Sequence, residues 1–237
     1  MKLNFLGVGS GFCTKYGNTS AYTIKDEKLI LLDCGEVVFS ELQKNNILNE
    51  QLKDIHIFIT HFHSDHVGSL PNTILYCYYI LGIRPTIHFP NKETVKNYLN
   101  ITGVSEDCYN ICTFFLNNVN GFEISYFKTK HVDEIKSYNL FLYEFDTKEH
   151  IYYSGDSTFI PNEILNMLLE NEYKLTIYQD TCGIKYSNNI HMPYEDLKSL
   201  IPKEYRNKVY LIHYDDKLDM DIILKDGFKI AEKSFNK

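Results

Sequence analysis

Residues 60–69 read THFHSDHVGS, placing His61, His63, Asp65 and His66 within six positions of a chain that holds nine histidines in all. Two readings compete: an exposed polar turn that happens to be rich in imidazole, and a metal site. The segment closes DIHIFIT (54–60), whose apolar run reads as a strand. A loop leaving a strand end can turn alternate side chains inward, so His61 and His63 can share one cation. Asp65 and His66 lie just beyond, at the start of the next helix, and can face a second. Imidazole and carboxylate suit zinc, and manganese or iron would accept the same set.

Further along the chain the pattern recurs. His131 follows EISYFKTK, Asp156 follows IYYSG and His213 ends VYLI, so four apolar strands deliver metal-type side chains at or near their C-terminal ends. A chance cluster accounts for the first four residues but not for this repetition. Seven ligands suffice for two cations with one shared carboxylate and an open position.

Around these residues, LNFLGV, SAYTIK and KLILLDCG read as strands, as do PTIHFP, FEISYFKTK, SYNLFLYEF, HIYYSGD, LTIYQDT and VYLIHY. Helical spacing is expected in VVFSELQKNNI, in LPNTILYCYYILG with Pro71 in its first turn, in KETVKNYLNITG, in PNEILNMLLEN and in PYEDLKSLI. GVGSG (7–11) lacks a following helix and reads as a tight turn rather than a phosphate loop. No Pro-, Gly- or Ser-rich linker divides the chain. One α/β domain over residues 1–237 is therefore expected, a sandwich with sheets inside and helices outside.

With 237 residues, 44% of them hydrophobic, the chain can build a sizeable core. Its net charge of −7 argues against a large nucleic-acid surface, though not against a small anionic substrate held by a cation. No stretch approaches a membrane span, and the N-terminal run is too short and glycine-rich for a secretory signal. The six scattered cysteines read as reduced thiols of a cytoplasmic protein. Cys108 and Cys112 could share a helix face. His56 and His88, inside strands, and His150, at the start of one, are expected to be packing or surface residues. Tyr76, Tyr78 and Tyr79 cannot share one helix face, which suggests an exposed dimer surface.

HFHSDH resembles the HxHxDH signature of the metallo-β-lactamase superfamily. His131, the SGDS containing Asp156, and His213 follow in that superfamily's order, and FLGVGSG, Asn18–Ser20 and LLDCG fit too. The resemblance implies a metallo-β-lactamase αββα sandwich with two divalent cations, zinc or alternatively manganese. His61, His63 and His131 would hold the first, Asp65, His66 and His213 the second, and Asp156 would bridge them. Within the superfamily the chain is most similar to the tRNA 3′-end endonuclease (RNase Z) and its small phosphodiesterase relatives. Asp180 in YQDTC and His191 in NNIHMPYEDL match that branch's acidic residue and additional histidine. Asp180, His191 and Asp65 are thus the candidate catalytic residues, His191 as the acid near the leaving group.

Only 24 residues separate His131 from Asp156, and they read as two strands and a turn, with no room for the tRNA-gripping arm of bacterial RNase Z. Ser64 also replaces the glycine common there. The compact anti-Pycsar group is the better match. It implies a homodimeric phosphodiesterase that opens 3′,5′-cyclic nucleotides, cyclic CMP and cyclic UMP included, to 5′-monophosphates. Such a protein would counter antiphage signalling, in the host cytoplasm if phage-encoded. RNA 3′-end cleavage, lactone or thioester hydrolysis, and non-catalytic nucleotide binding are the alternatives.

Overall fold

Strands buried on both faces must be covered from both sides, and KLILL (Lys28–Leu32) is buried along nearly its whole length. The computed structural model describes residues 3–170 and 172–235. Their strands form two sheets. The first is β1 (Asn4–Gly7), β2 (Ser20–Lys25), β3 (Lys28–Leu32), β4 (Asp54–Phe58), β5 (Thr86–His88) and β6 (Asn110–Cys112), neighbours in sequence order. The second is β7 (Leu116–Val119), β8 (Phe122–Thr129), β9 (Ser137–Glu144), β10 (Glu149–Tyr153), β11 (Lys174–Asp180), β12 (Val209–Ile212) and β13 (Lys229–Ile230), also consecutive. Aromatic contacts join the facing sheets: Phe5 meets Tyr178 at 5.1 Å and Phe58 meets Tyr126 at 6.1 Å between ring centroids. Buried apolar residues from Leu3 to Ala231 make one continuous core.

Helices follow the apolar spacing of the sequence. In α1 (Val38–Lys44), Val38 and Leu42 are buried. A single turn, α2 (Ser64–Val67), precedes α3 (Leu70–Tyr79), which has Pro71 in its first turn and buries Leu70, Ile74 and Cys77. Val95 and Leu99 form the buried stripe of α4 (Lys92–Ile101), where Asn91 accepts the Thr94 N–H at 3.1 Å as N-cap. Ile164 and Leu168 do the same for α5 (Asn162–Leu169); α6 (Tyr194–Leu200) buries Tyr194 and Leu197, and α7 (Met220–Lys225) buries Ile223. No helix among the described residues is long and apolar enough to cross a membrane.

Strand direction positions the site. β10, β11 and β12 run parallel, and β8 runs the same way because β9 pairs antiparallel with both β8 and β10. Four C-terminal ends of the second sheet therefore open onto one edge. In the first sheet β3 and β4 are parallel, so Asp33 and the THFHSDH loop leave that sheet side by side.

One expectation needs correction. Cys108 and Cys112 share no helix: Cys108 ends a short 3₁₀ turn and Cys112 ends β6, whose register pairs it with His88. Parallel pairing with β5 overrides the helical spacing of the two thiols. Asp65 and His66 lie, as expected, at the start of the next helix, the single turn α2, closed by the His66 and Val67 N–H groups on the His63 carbonyl.

Candidate metal centre

The seven expected ligands converge at that shared edge, in two clusters that meet at Asp156. In the first, His63 Nδ1 lies 3.1 Å from His61 Nε2 and 3.2 Å from His131 Nε2. Asp156 Oδ2 is 3.6 Å from His61 Nε2 and 3.5 Å from His131 Nε2. In the second, Asp65 Oδ2 stands 3.1 Å from His213 Nε2 and 3.4 Å from His66 Nε2. Asp156 Oδ1 stands 3.4 Å and 3.1 Å from the same two nitrogens. Atoms that ligate a tetrahedral ion at about 2.0–2.1 Å are about 3.3–3.4 Å apart, so both clusters have the spacing of a coordination shell.

Outer hydrogen bonds fix which nitrogen is free on three of the imidazoles, and an ion-pair contact orients a fourth. The His66 Nδ1–H donates to Asp33 Oδ2 at 2.9 Å, and that of His131 to the Ile190 carbonyl at 3.0 Å. His61 Nδ1–H donates to Thr60 Oγ1 at 3.1 Å; the Thr60 hydroxyl and N–H in turn donate to Asp33. His213 Nδ1 faces Asp180 Oδ1 at 3.3 Å. Each partner leaves an Nε2 lone pair aimed at the centre, as ligand histidines require. Buried His66 Nε2 and Asp156 Oδ1 have no hydrogen-bond partner. Such orphaned atoms are costly unless something binds them, and a cation fits both clusters.

The electrostatics agree. Burial works to lower the His66 imidazole, but Asp156, Asp33 and Asp65 outweigh it and hold it well above its ordinary value. His213 is pushed up to about 10 against its burial, by Asp156, Asp180 and Asp65. Burial resists ionisation of Asp156, yet His213, His66 and His61 keep its carboxyl well below the usual carboxylate range. His61, also buried and close to His66, is lowered far below the ordinary imidazole value. The carboxylates thus draw positive charge to the second cluster above all, whether protons or a cation, and cation binding must release protons there.

Asp180 and His191 adjoin both clusters. Asp180 Oδ2 accepts the His191 Nδ1–H at 2.7 Å and the Ser157 N–H at 3.0 Å. His191 Nδ1 is 3.9 Å from Asp156 Oδ2. Burial opposes protonation of His191, but the Asp180 charge prevails and raises it.

The sequence assigned no role to Asp33, although LLDCG drew notice. Fully buried, Asp33 also accepts from the Tyr153 hydroxyl at 3.4 Å and so connects both clusters. Its φ of 61° and the 53° of His213 place both in the left-handed region, a strain that turns their strand-end side chains toward the centre. Gly11 in GVGSG is likewise part of the site, since a Cβ there would come within 2.8 Å of Asp65 Oδ2. A long-range packing constraint of this kind leaves no local signal beyond the glycine itself. His56 and His88, expected to be packing or surface residues, pair with each other at 2.8 Å away from the centre, and His88 is buried.

The fold is that of the metallo-β-lactamase proteins. The chain superimposes on the metallo-β-lactamase fold protein YhfI of Bacillus subtilis with a TM-score of 0.73 at 17% identity, covering 98% of this chain and 97% of the other. On the short form of human tRNase Z the TM-score is 0.68 at 19% identity, covering 99% and 98%. In sequence it is 28% identical to the anti-Pycsar protein Apyc1 of Bacillus phage BSP38, over 95% of this chain and 93% of that one. The family model described as anti-Pycsar protein Apyc1 matches residues 1–234, and the chain belongs to that family.

Proposed function

We propose that this chain is a single-domain, di-metal phosphodiesterase that opens 3′,5′-cyclic nucleotides, cyclic CMP and cyclic UMP among them, to 5′-monophosphates. The observation that carries the reading is the Asp180–His191 pair beside the two clusters, whose hydrogen bond and raised imidazole pKa suit a proton donor to a leaving oxygen. Family membership supports a cyclic nucleotide as substrate. His61, His63 and His131 would hold one divalent cation, zinc or manganese, and Asp65, His66 and His213 a second, with Asp156 between them. Bound there, the pair would activate a water and neutralise phosphoryl charge.

This chain's own residues do the rest. Asp180 orients His191 and raises its pKa, which favours its outward nitrogen as the donor of a proton to the 3′ oxygen as the P–O3′ bond breaks. Asp65 and Asp156 keep the attacking side rich in negative charge for the cations to balance. Glu36 and Asp215 border the same cavity, opposed by Lys217, which disfavours a polyanionic RNA. β9 and β10 fill the interval between His131 and Asp156 as a plain hairpin, leaving no gripping arm.

The test is a panel: metal-loaded protein with 3′,5′-cyclic nucleotides, a pre-tRNA and a homoserine lactone. Release of 5′-nucleotide from the first group alone is expected. Cleavage of pre-tRNA or lactone instead, or no turnover of any, overturns the reading. The proposed homodimer would use the exposed end of α3, where Tyr79 and Ile80 are 69% and 64% exposed. A monomer in light scattering at micromolar concentration argues against it.

A further inference from the structure

Two loops contribute to the lining of the cavity that holds the candidate metal centre. The first is the turn Ser10–Cys13, closed by the Cys13 N–H on the Ser10 carbonyl at 2.9 Å and hung from the Tyr214 carbonyl by the Ser10 N–H at 3.1 Å. Gly11 presses this turn against Asp65, so the next side chain, Phe12, is thrust outward and is fully exposed. The second is the segment between β11 and α6, carrying Ile184 and Tyr186, which are 43% and 53% exposed. Asn189 braces it, accepting the Tyr186 N–H at 2.6 Å and donating to the Ile184 carbonyl at 2.9 Å.

A lone exposed aromatic needs no explanation. Here, however, Phe12, Ile184 and Tyr186 line one cavity of about 650 Å³ together with His63, His191 and Asp156, a size usual for small-molecule sites of about 300–1,000 Å³. Neither aromatic ring packs against another among the described residues, although both loops are tied by specific hydrogen bonds. A fixed loop that presents an unpacked ring contributes little to folding and much to holding a flat ligand.

We propose that Phe12 and Tyr186 are specificity-determining residues that hold the nucleobase between the two loops. This rests on the cyclic nucleotide reading above. With the phosphate on the cavity floor, the sugar directs the base to the rim, where the two rings offer it their faces. Beyond the candidate ligands and His191, the polar residues of the lining include Ser10, Glu36, Ser64, Asp215 and Lys217. These can meet a base edge through hydrogen bonds, while Phe12 and Tyr186 supply the aromatic surface that holds its π-face.

The experiment compares kcat/KM for cyclic UMP with that for the base-free ribose 3′,5′-cyclic phosphate. Phe12→Ala and Tyr186→Ala are expected to lower the ratio of the two about tenfold, mainly through KM for the nucleotide. Phe12→Trp should keep the wild-type ratio and Phe12→Leu should not. A wild-type ratio in both alanine variants, or a Phe12→Leu protein indistinguishable from wild type, overturns the proposal while the phosphodiesterase reading stands. Wild-type protein that opens neither cyclic compound overturns both.

Discussion

Asp180 Oδ2 accepts the Nδ1–H of His191 at 2.7 Å, and the Asp180 side chain is fully buried. Asp180 thereby orients the imidazole and raises its pKa, and on the proposed reading His191 is not one of the seven cation ligands. His191→Ala should therefore retain two cations per chain while kcat for cyclic nucleotide falls about 10²- to 10⁴-fold. Elemental analysis and steady-state rates check both halves. A variant that turns over at the wild-type rate removes His191 as the acid.

Asp156 contributes one oxygen to each cluster. Asp156→Ala should lose both cations and all measurable turnover. His131→Ala touches the first cluster only and should retain about one cation per chain, on the logic of additive ligand loss. Two tightly held cations in the Asp156 variant would sink the shared-carboxylate arrangement.

Asp33 accepts from His66, from Thr60 twice over and from Tyr153. An amide in its place cannot accept on both sides. Asp33→Asn should weaken cation affinity about 10- to 100-fold, the usual cost of removing such a support. Competition with a chromogenic chelator measures this, and affinity equal to wild type would show that His66 needs no such partner.

His88 titrates away from the centre. Burial, then the neighbouring His56, lowers its imidazole to about 3, and its Nδ1–H donates to Asn117 across the sheets at 3.2 Å. Because the folded-state value lies below the unfolded one, the unfolded chain binds the extra proton between about pH 6.5 and 3. Stability is lost as pH falls through that window, by about 2 kcal/mol at pH 5 from this group. Urea unfolding at pH 7 and pH 5 should show a loss in wild type that is smaller in His88→Gln by roughly this amount. Equal losses would mean that His88 takes up its proton as readily in the folded chain as in the unfolded one.

The candidate ligands were legible because their spacing is local. His61, His63, Asp65 and His66 share one loop, and the remaining three each follow an apolar strand. His191 and Asp180 came from family likeness, and the structure places them in contact. What stayed hidden depends on contacts between distant segments. Asp33 meets Thr60 and His66 only because β3 and β4 lie side by side, and His56 meets His88 only through the pairing of β4 with β5. The strands missed, β6, β7 and β13, are four residues or fewer, and LNNV in β7 is poor in strand formers. Their pairing comes from neighbours rather than from propensity.

Both sheets supply the centre. His61, His63, Asp65 and His66 leave the first, and His131, Asp156 and His213 leave the second. On the proposed reading each cation is a rivet driven through both layers of the sandwich as well as a reagent. The melting temperature should then climb with free zinc, since only the closed sandwich presents the full set of ligands. The same edge that carries out the reaction would clamp the two halves of the molecule together.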